Sequence, residues 1–458
     1  MSRPSKHSDR GVRPGVGGAV TSQDRPAGAG RLTSLDGLRG LAALVVVIHH
    51  CALTLPALAN QNQAPDRSSA AWWLTYTPLH LVWAGGEAVL VFFVLSGLVL
   101  ALPHLRTPQP GTWLPYYVKR AVRLYVPVAA AVVLTGIVVT LVPRVAGPGW
   151  SWWMADHAVP ARVSVLVHDA GLLGGTGWLN SALWSLKYEV FFSLFLPVFV
   201  VVARQLTAPL WASVPLALWG SGWAASISHE LLSYMFVFAV GVLLAQRLAT
   251  LRAWGEQISR SAAASVAWMA LGVAGVLLLL SEWWMKQFVS DWTLWLPVGR
   301  PAGVLGAAVL VFCFLHCRPL RAFGDTRTVQ WLGTVSFSLY LVHEPIVVSV
   351  ATMTPHTLRG LAVTLVVGIA LSLVTAVLFH RLVEVPSQRL AGWLGRTVRH
   401  RVVPAAPVVA PVVGPTTVQL PARPRVPVGG PSTGALRVTT VGRRTPVPPQ
   451  RVVRRTSV

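Results

Sequence analysis

The chain is 458 residues long, 53% hydrophobic and only 12% charged, with a mean hydropathy of +0.58; apolar runs of about 18 residues or more recur along it, which excludes a single soluble core and fits helices that cross a bilayer. The net charge of +23 sits largely at the ends, with seven Lys/Arg in residues 1–39, thirteen from Arg381 onward, and no Asp or Glu after Glu384. That placement serves membrane orientation and attraction to anionic lipid, and gives no reason to invoke nucleic acid as a partner.

Residues 1–31 are polar and rich in Gly and Pro. They read as a disordered cytoplasmic tail with no cleavable signal peptide. Ten spans follow, near 36–55, 84–103, 121–142, 184–204, 209–227, 230–250, 263–282, 294–316, 331–352 and 360–382. The fifth is the least regular, since it holds Pro215, Gly220 and Gly222. Backbone groups in lipid must be satisfied within the segment, and no alternating strand pattern suggests a barrel. The expected fold is therefore an all-α polytopic membrane protein with its core over residues 32–392. If both tails are cytoplasmic, the inner loops hold eleven Lys/Arg and the longer outer loops six, which is the positive-inside pattern. Residues 396–458 carry eleven prolines after Arg401 and no acidic residue, and read as a second disordered cytoplasmic tail.

The first span holds the most informative pair. Arg39 and His50 lie eleven positions apart in SLDGLRGLAALVVVIHHCALTL. That step is three helical turns to within about 20°, so both side chains share a face roughly 16 Å apart along the axis. A cation then stands near one membrane surface and an imidazole near the midplane, where an ionisable group is costly and points to function. A desolvated imidazole tends to be neutral and suits a general base. The second span, GGEAVLVFFVLSGLVLAL, places small Ser96 and Gly97 in a bulky run, suited to close helix contact. Arg120 and Arg123, three apart at the start of the third span, share a face. With Arg39 they form a guanidinium set able to hold phosphates bidentately.

Two long outer segments follow spans one and three. Residues 143–183 carry Trp150, Trp152, Trp153, His157, His168, Asp169 and Trp178, where an interfacial aromatic belt is the plain reading. Glu189, early in span four, could orient a histidine, bind a hydroxyl or pair with a basic residue. In span nine, WLGTVSFSLYLVHEPIV, Tyr340 and His343 share a face, Glu344 follows, and Pro345 would kink the helix. Glu384 and Pro386 close the last span. Cys51, Cys313 and Cys317 all fall in apolar runs, so no disulfide framework is indicated. Cys313 and Cys317 flank His316, but no second pair completes a metal site and none is expected.

These blocks resemble, in order over about residues 32–390, the bacterial membrane acyltransferase 3 family: LDGLRG with Arg39 and His50, FFVLSG at 92–97, Arg120 and Arg123, WSLKYE at 184–189, the run Leu332–His343, and Glu384-Val385-Pro386. The resemblance implies a ten-span core that O-acylates surface glycans or secondary metabolites. It also implies an acyl-CoA donor, usually acetyl-CoA, and no permanently bound cofactor. His50 would be catalytic, with Glu189 as its candidate partner. Arg39, Arg120 and Arg123 would handle the donor, and Ser96, Tyr340 and His343 are candidate substrate-binding residues. The implied setting is a bacterial cytoplasmic membrane, with a carbohydrate or other hydroxylated acceptor. His49, Lys187, Tyr188 and Glu344 depart from the usual pattern, which bears on the acceptor more than on activity. No extracytoplasmic hydrolase domain is expected after the tenth span. The rival reading is a glycan or lipid transporter using the same buried charges as a pathway. Against it, no paired inverted repeat with broken spans is visible. A third reading, a scaffold acting through the basic tail, uses none of the intramembrane groups.

Overall fold

The computed structural model describes residues 32–106, 113–289 and 292–402. Most of the two expected tails lies outside these residues. The final helix runs on to Arg401, past the start of the expected C-terminal tail. Among the described residues all regular structure is helical. The principal helices follow the expected spans in order: α1 Thr33–Leu53, α2 Gly85–Arg106, α3 Trp113–Leu141, α4 Trp184–Gln205 and α5 Leu210–Ser226; then α6 Glu230–Gln246, α7 Ala264–Leu279, α8 Trp292–His316, α9 Arg327–Thr352 and α10 Leu358–Arg401.

Seven helices among the described residues are long and apolar enough to cross a membrane. An eighth is reached if α6 is joined to Leu248–Arg260, which continues it at a 73° bend. The chain is thus an all-α polytopic membrane protein. The helices α5 and α7 have 17 and 16 residues, short of the ~20 that a straight crossing needs.

Two differences from the sequence reading bear on the site. First, α3 begins at Trp113, so Arg120 and Arg123 lie well inside a helix and not at its start. Arg120 is about 10 Å beyond the first residue of α3. Lys and Arg are good helix formers, so a basic stretch that reads as a polar flank continues the helix. Second, α10 is interrupted by π turns at Thr364–Gly368 and His380–Glu384. Such turns shift the helix face and recur at functional sites.

Close backbone approach sets the central contacts. A Cβ on Gly40 of α1 would press on Gly333 N and the Leu332 backbone of α9, and one on Gly333 would press on Asp36 O. Gly97 of α2 and Gly241 of α6 meet in the same way. Small residues allow helices in lipid to pack closely through dispersion. The α1–α9 contact matters most, because α1 carries His50 and α9 carries His343. Gly40→Val is expected to destabilise the protein by about 1–3 kcal/mol through overpacking, by forcing the two helices apart. Thermal unfolding in detergent would test this; an unchanged midpoint would show that the contact can spread freely.

Candidate active site

Polar groups gather in two places along α1 and α9. The first is a cavity of about 230 Å³ with Arg39 of α1, Ser96 of α2, Arg120 and Arg123 of α3, Glu189 of α4 and Glu384 of α10 in its walls. Arg120 Nη2 meets Glu189 Oε1 at 2.5 Å, and its Nε donates to Ser193 Oγ at 3.0 Å. Ser96 Oγ donates to the same Glu189 oxygen at 3.2 Å. Glu384, on the second π turn, accepts from Ser338 Oγ at 2.5 Å and Gln388 Nε2 at 2.9 Å, and lies 3.0 Å from His380 Nδ1. Three guanidinium groups thus face two carboxylates. The balance is positive, in a partly enclosed site where charges are screened less than in open water. An anion, and a phosphate above all, suits it.

The second place is a buried cluster around His50. His50 Nδ1 lies 2.7 Å from His343 Nε2. His343 Nδ1 faces two carbonyl oxygens, Leu339 O and Tyr340 O, each at 3.0 Å. Carbonyls only accept, so His343 Nδ1 carries the proton and Nε2 is the acceptor. His50 Nδ1 therefore donates, and the lone pair of His50 is on Nε2. Glu344 Oε2 is 3.7 Å from that nitrogen. Glu344 is fully buried. It accepts from Ser181 N at 2.5 Å, Ser181 Oγ at 3.0 Å and Ala182 N at 2.6 Å. A fourth contact, 2.7 Å, is with His157 Nε2. The Trp153 ring stacks on His50, with centroids 5.3 Å apart and planes 14° apart. The result is an imidazole with a free basic nitrogen and a carboxylate able to stabilise the imidazolium after proton uptake.

Arg144, just after α3, is 6% exposed. Its Nη1 donates to Leu179 O at 3.1 Å, and its Nε and Nη2 have no hydrogen-bond partner among the described residues. Burial pushes its guanidinium down to about 10, opposed by attraction to Glu344. His49 borders the second place, its ring edge-on to that of His50 with centroids 5.4 Å apart. Its Nδ1 lies 2.8 Å from Trp83 O and its ring stacks on Trp83.

Tyr340 adjoins both places. It lines the cavity, whose walls include neither His50 nor His343, and its ring centroid is 6.0 Å from that of His343. The Tyr340 hydroxyl donates to Ala182 O and pairs with Ser185 Oγ, both at 2.7 Å. The turn Ser181–Leu183 before α4 is thus gripped by Tyr340 at a carbonyl and by Glu344 at two N–H groups.

Of the residues expected from sequence, the structure brings Arg39, Arg120, Arg123, Ser96, Glu189 and Tyr340 to the cavity, and joins His50 to His343. Glu189 stands with Arg120; the carboxylate beside His50 is Glu344. In the sequence Glu344 has no evident partner, and Arg144, Trp153 and His157 stand in the outer segment 143–183. Their link to His50 spans about 100 or more positions and has no local periodicity to announce it.

A family model described as an acyltransferase domain, of the acyltransferase 3 type, matches residues 32–381. The chain is similar to the acyltransferase MdmB of Streptomyces mycarofaciens, at 25% identity over 427 residues, which cover 82% of this chain and 95% of that protein. It is also similar to the O-acetyltransferase PaAT-1 of Phomopsis amygdali, at 30% identity over 132 residues, covering 25% of this chain and 26% of that protein. No solved structure matches.

Proposed function

This chain belongs to the acyltransferase 3 family, and from that premise we propose that it transfers an acyl group, acetyl in the simplest form, from acyl-CoA to a hydroxyl of a carbohydrate or related acceptor. The name of the partial relative PaAT-1, an O-acetyltransferase, supports acetyl and oxygen as the two ends of the transfer. The positive-inside distribution supports both chain ends, and the arginine cavity, on the cytoplasmic side of a bacterial plasma membrane.

The observation that carries this reading is that Tyr340, in the wall of the arginine cavity, neighbours His343, which is bonded to His50. Arg39, Arg120 and Arg123 would take the phosphates of CoA. The pantetheine arm extends on the order of 15–20 Å, comparable with the roughly 16 Å rise from Arg39 to His50. Movement of Tyr340 would admit the thioester to the His50 cluster. His50 Nε2 takes the proton of the acceptor hydroxyl as that oxygen attacks the acyl carbon. The C–O bond forms and the C–S bond breaks. The proton passes from His50 to the departing thiolate, so the site returns to its starting state. Glu344 stabilises the transient imidazolium, and His343 fixes the ring through Nδ1.

Arg123→Ala is expected to weaken acyl-CoA binding about tenfold or more, the scale of one charge-assisted contact. Arg120→Ala should do at least as much, since it also strands Glu189. Lys at either position should restore part of the affinity, lacking the planar fork. CoA binding in detergent is the measurement. Wild-type affinity in both alanine variants would remove the donor assignment. Full-length protein in vesicles, given labelled acyl-CoA and hydroxylated acceptors, tests the reaction itself. A glycan or lipid transporter would move cargo and leave the label on CoA.

A further inference from the structure

We infer that His157, in the segment joining α3 to α4, is a positioning residue of the transfer reaction that acts through Glu344. The inference rests on the reading of His50 as the base. His157 is fully buried. Its Nδ1 lies 2.6 Å from Trp153 O and its Nε2 2.7 Å from Glu344 Oε1. The carbonyl can only accept, so Nδ1–H donates to it. Glu344 already accepts from Ser181 N, Ser181 Oγ and Ala182 N. Those three donors favour the carboxylate, and with Glu344 ionised the proton between the pair belongs to His157 Nε2.

Of the four groups bonded to Glu344, only His157 brings positive charge. A carboxylate in a desolvated site needs a paired cation as well as hydrogen bonds. Arg144 adds attraction but spends its resolved bond on Leu179 O. His157 also fixes the direction of the carboxylate. With Oε1 tied to His157, Oε2 is the oxygen that faces His50 Nε2 at 3.7 Å.

The same short segment reaches the other half of the pair. Trp153 stacks on the His50 ring, and its carbonyl accepts from His157. Ser151 Oγ ties the segment to Leu53 O of α1 at 2.7 Å. One stretch from Ser151 to His157 therefore sets both the plane of the base and the oxygen that stabilises its protonated form. Without the His157 cation, Glu344 would gain by taking a proton itself, and a neutral acid cannot stabilise the imidazolium. The chemical step would suffer, while the donor cavity, whose walls include neither His157 nor Glu344, would not.

The test compares His157→Phe and His157→Gln with wild type and His50→Ala, in full-length protein, by kcat, KM for acyl-CoA and CoA binding. Phe fills the space without a donor; Gln keeps a donor but no charge. We expect kcat to fall about 100-fold in His157→Phe and about tenfold in His157→Gln, with CoA binding unchanged in both. The graded recovery with Gln, confined to kcat, is what a merely structural role would not give. Wild-type kcat in either variant overturns the inference, as does a loss in His157→Gln that falls on CoA binding as much as on kcat. If His50→Ala itself turns over normally, it is the assignment of the base that fails.

Discussion

His50→Ala should reduce acyl transfer by about 100-fold or more, the usual contribution of a positioned general base, while acyl-CoA binding stays near wild type. The variant removes the ring nitrogen whose free lone pair faces Glu344; His343 has Nδ1 committed to carbonyls and Nε2 to His50. It leaves the arginine cavity untouched, since His50 forms no part of its walls. Alanine is favourable in a helix, so α1 should insert and pack. His49→Ala should have a smaller effect, because residue 49 is turned about 100° from the Arg39 face and packs on Trp83. Turnover and CoA affinity of both variants, side by side, decide the matter. A larger loss in His49→Ala would mean that the wrong face of α1 had been assigned.

Glu344→Gln should be nearly as damaging, with kcat lowered about 100-fold and stability also reduced. The amide keeps the shape but removes the charge that would stabilise protonated His50. It also places an NH₂ group where only an acceptor fits, since Ser181 N, Ser181 Oγ and Ala182 N are donors on both oxygens. One donor is then opposed by another donor, and His157 loses its counter-charge. Removing one partner of a buried pair costs about 3–5 kcal/mol. Glu189→Gln gives the contrasting pattern: a weakened hold on Arg120 and a raised KM for acyl-CoA, with less effect on kcat. Steady-state kinetics on the two variants would show whether the carboxylates divide the work in this way. A kcat loss in Glu189→Gln larger than in Glu344→Gln would reverse the two roles.

Much of the architecture was legible because lipid leaves few choices. Apolar length, Gly and Pro breaks and the asymmetry of Lys and Arg locate helices without knowledge of their neighbours. The eleven-residue step from Arg39 to His50 was equally local, and α1 places the first in the cavity and the second against His343. What sequence could not supply was pairing between distant segments. Glu189 and Glu344 each looked like a carboxylate near an apolar run. Only packing puts one against Arg120 and the other against His50. The start of α3 at Trp113 lies before the expected span for a related reason: the basic residues Lys119, Arg120 and Arg123 interrupt the apolar run, and only packing shows Glu189 offsetting Arg120 from another helix. The π turns of α10 have no sequence signature of comparable clarity, although they set where Glu384 faces.

The Tyr340 wall has a consequence for the cell that houses the protein. A membrane that stores energy as an ion gradient cannot tolerate a water-filled column through one of its enzymes. Here the cavity is lined by a phenol bonded to Ala182 O and Ser185 Oγ, and next to it His50, His343 and Glu344 lie with almost no exposure. In the proposed reaction a slender thioester arm would need the ring to swing for only one group at a time, and the arm would fill the gap it opens. The barrier would thus be breached only when plugged by its own substrate, so that an acyl group would pass while protons and ions stay where they are.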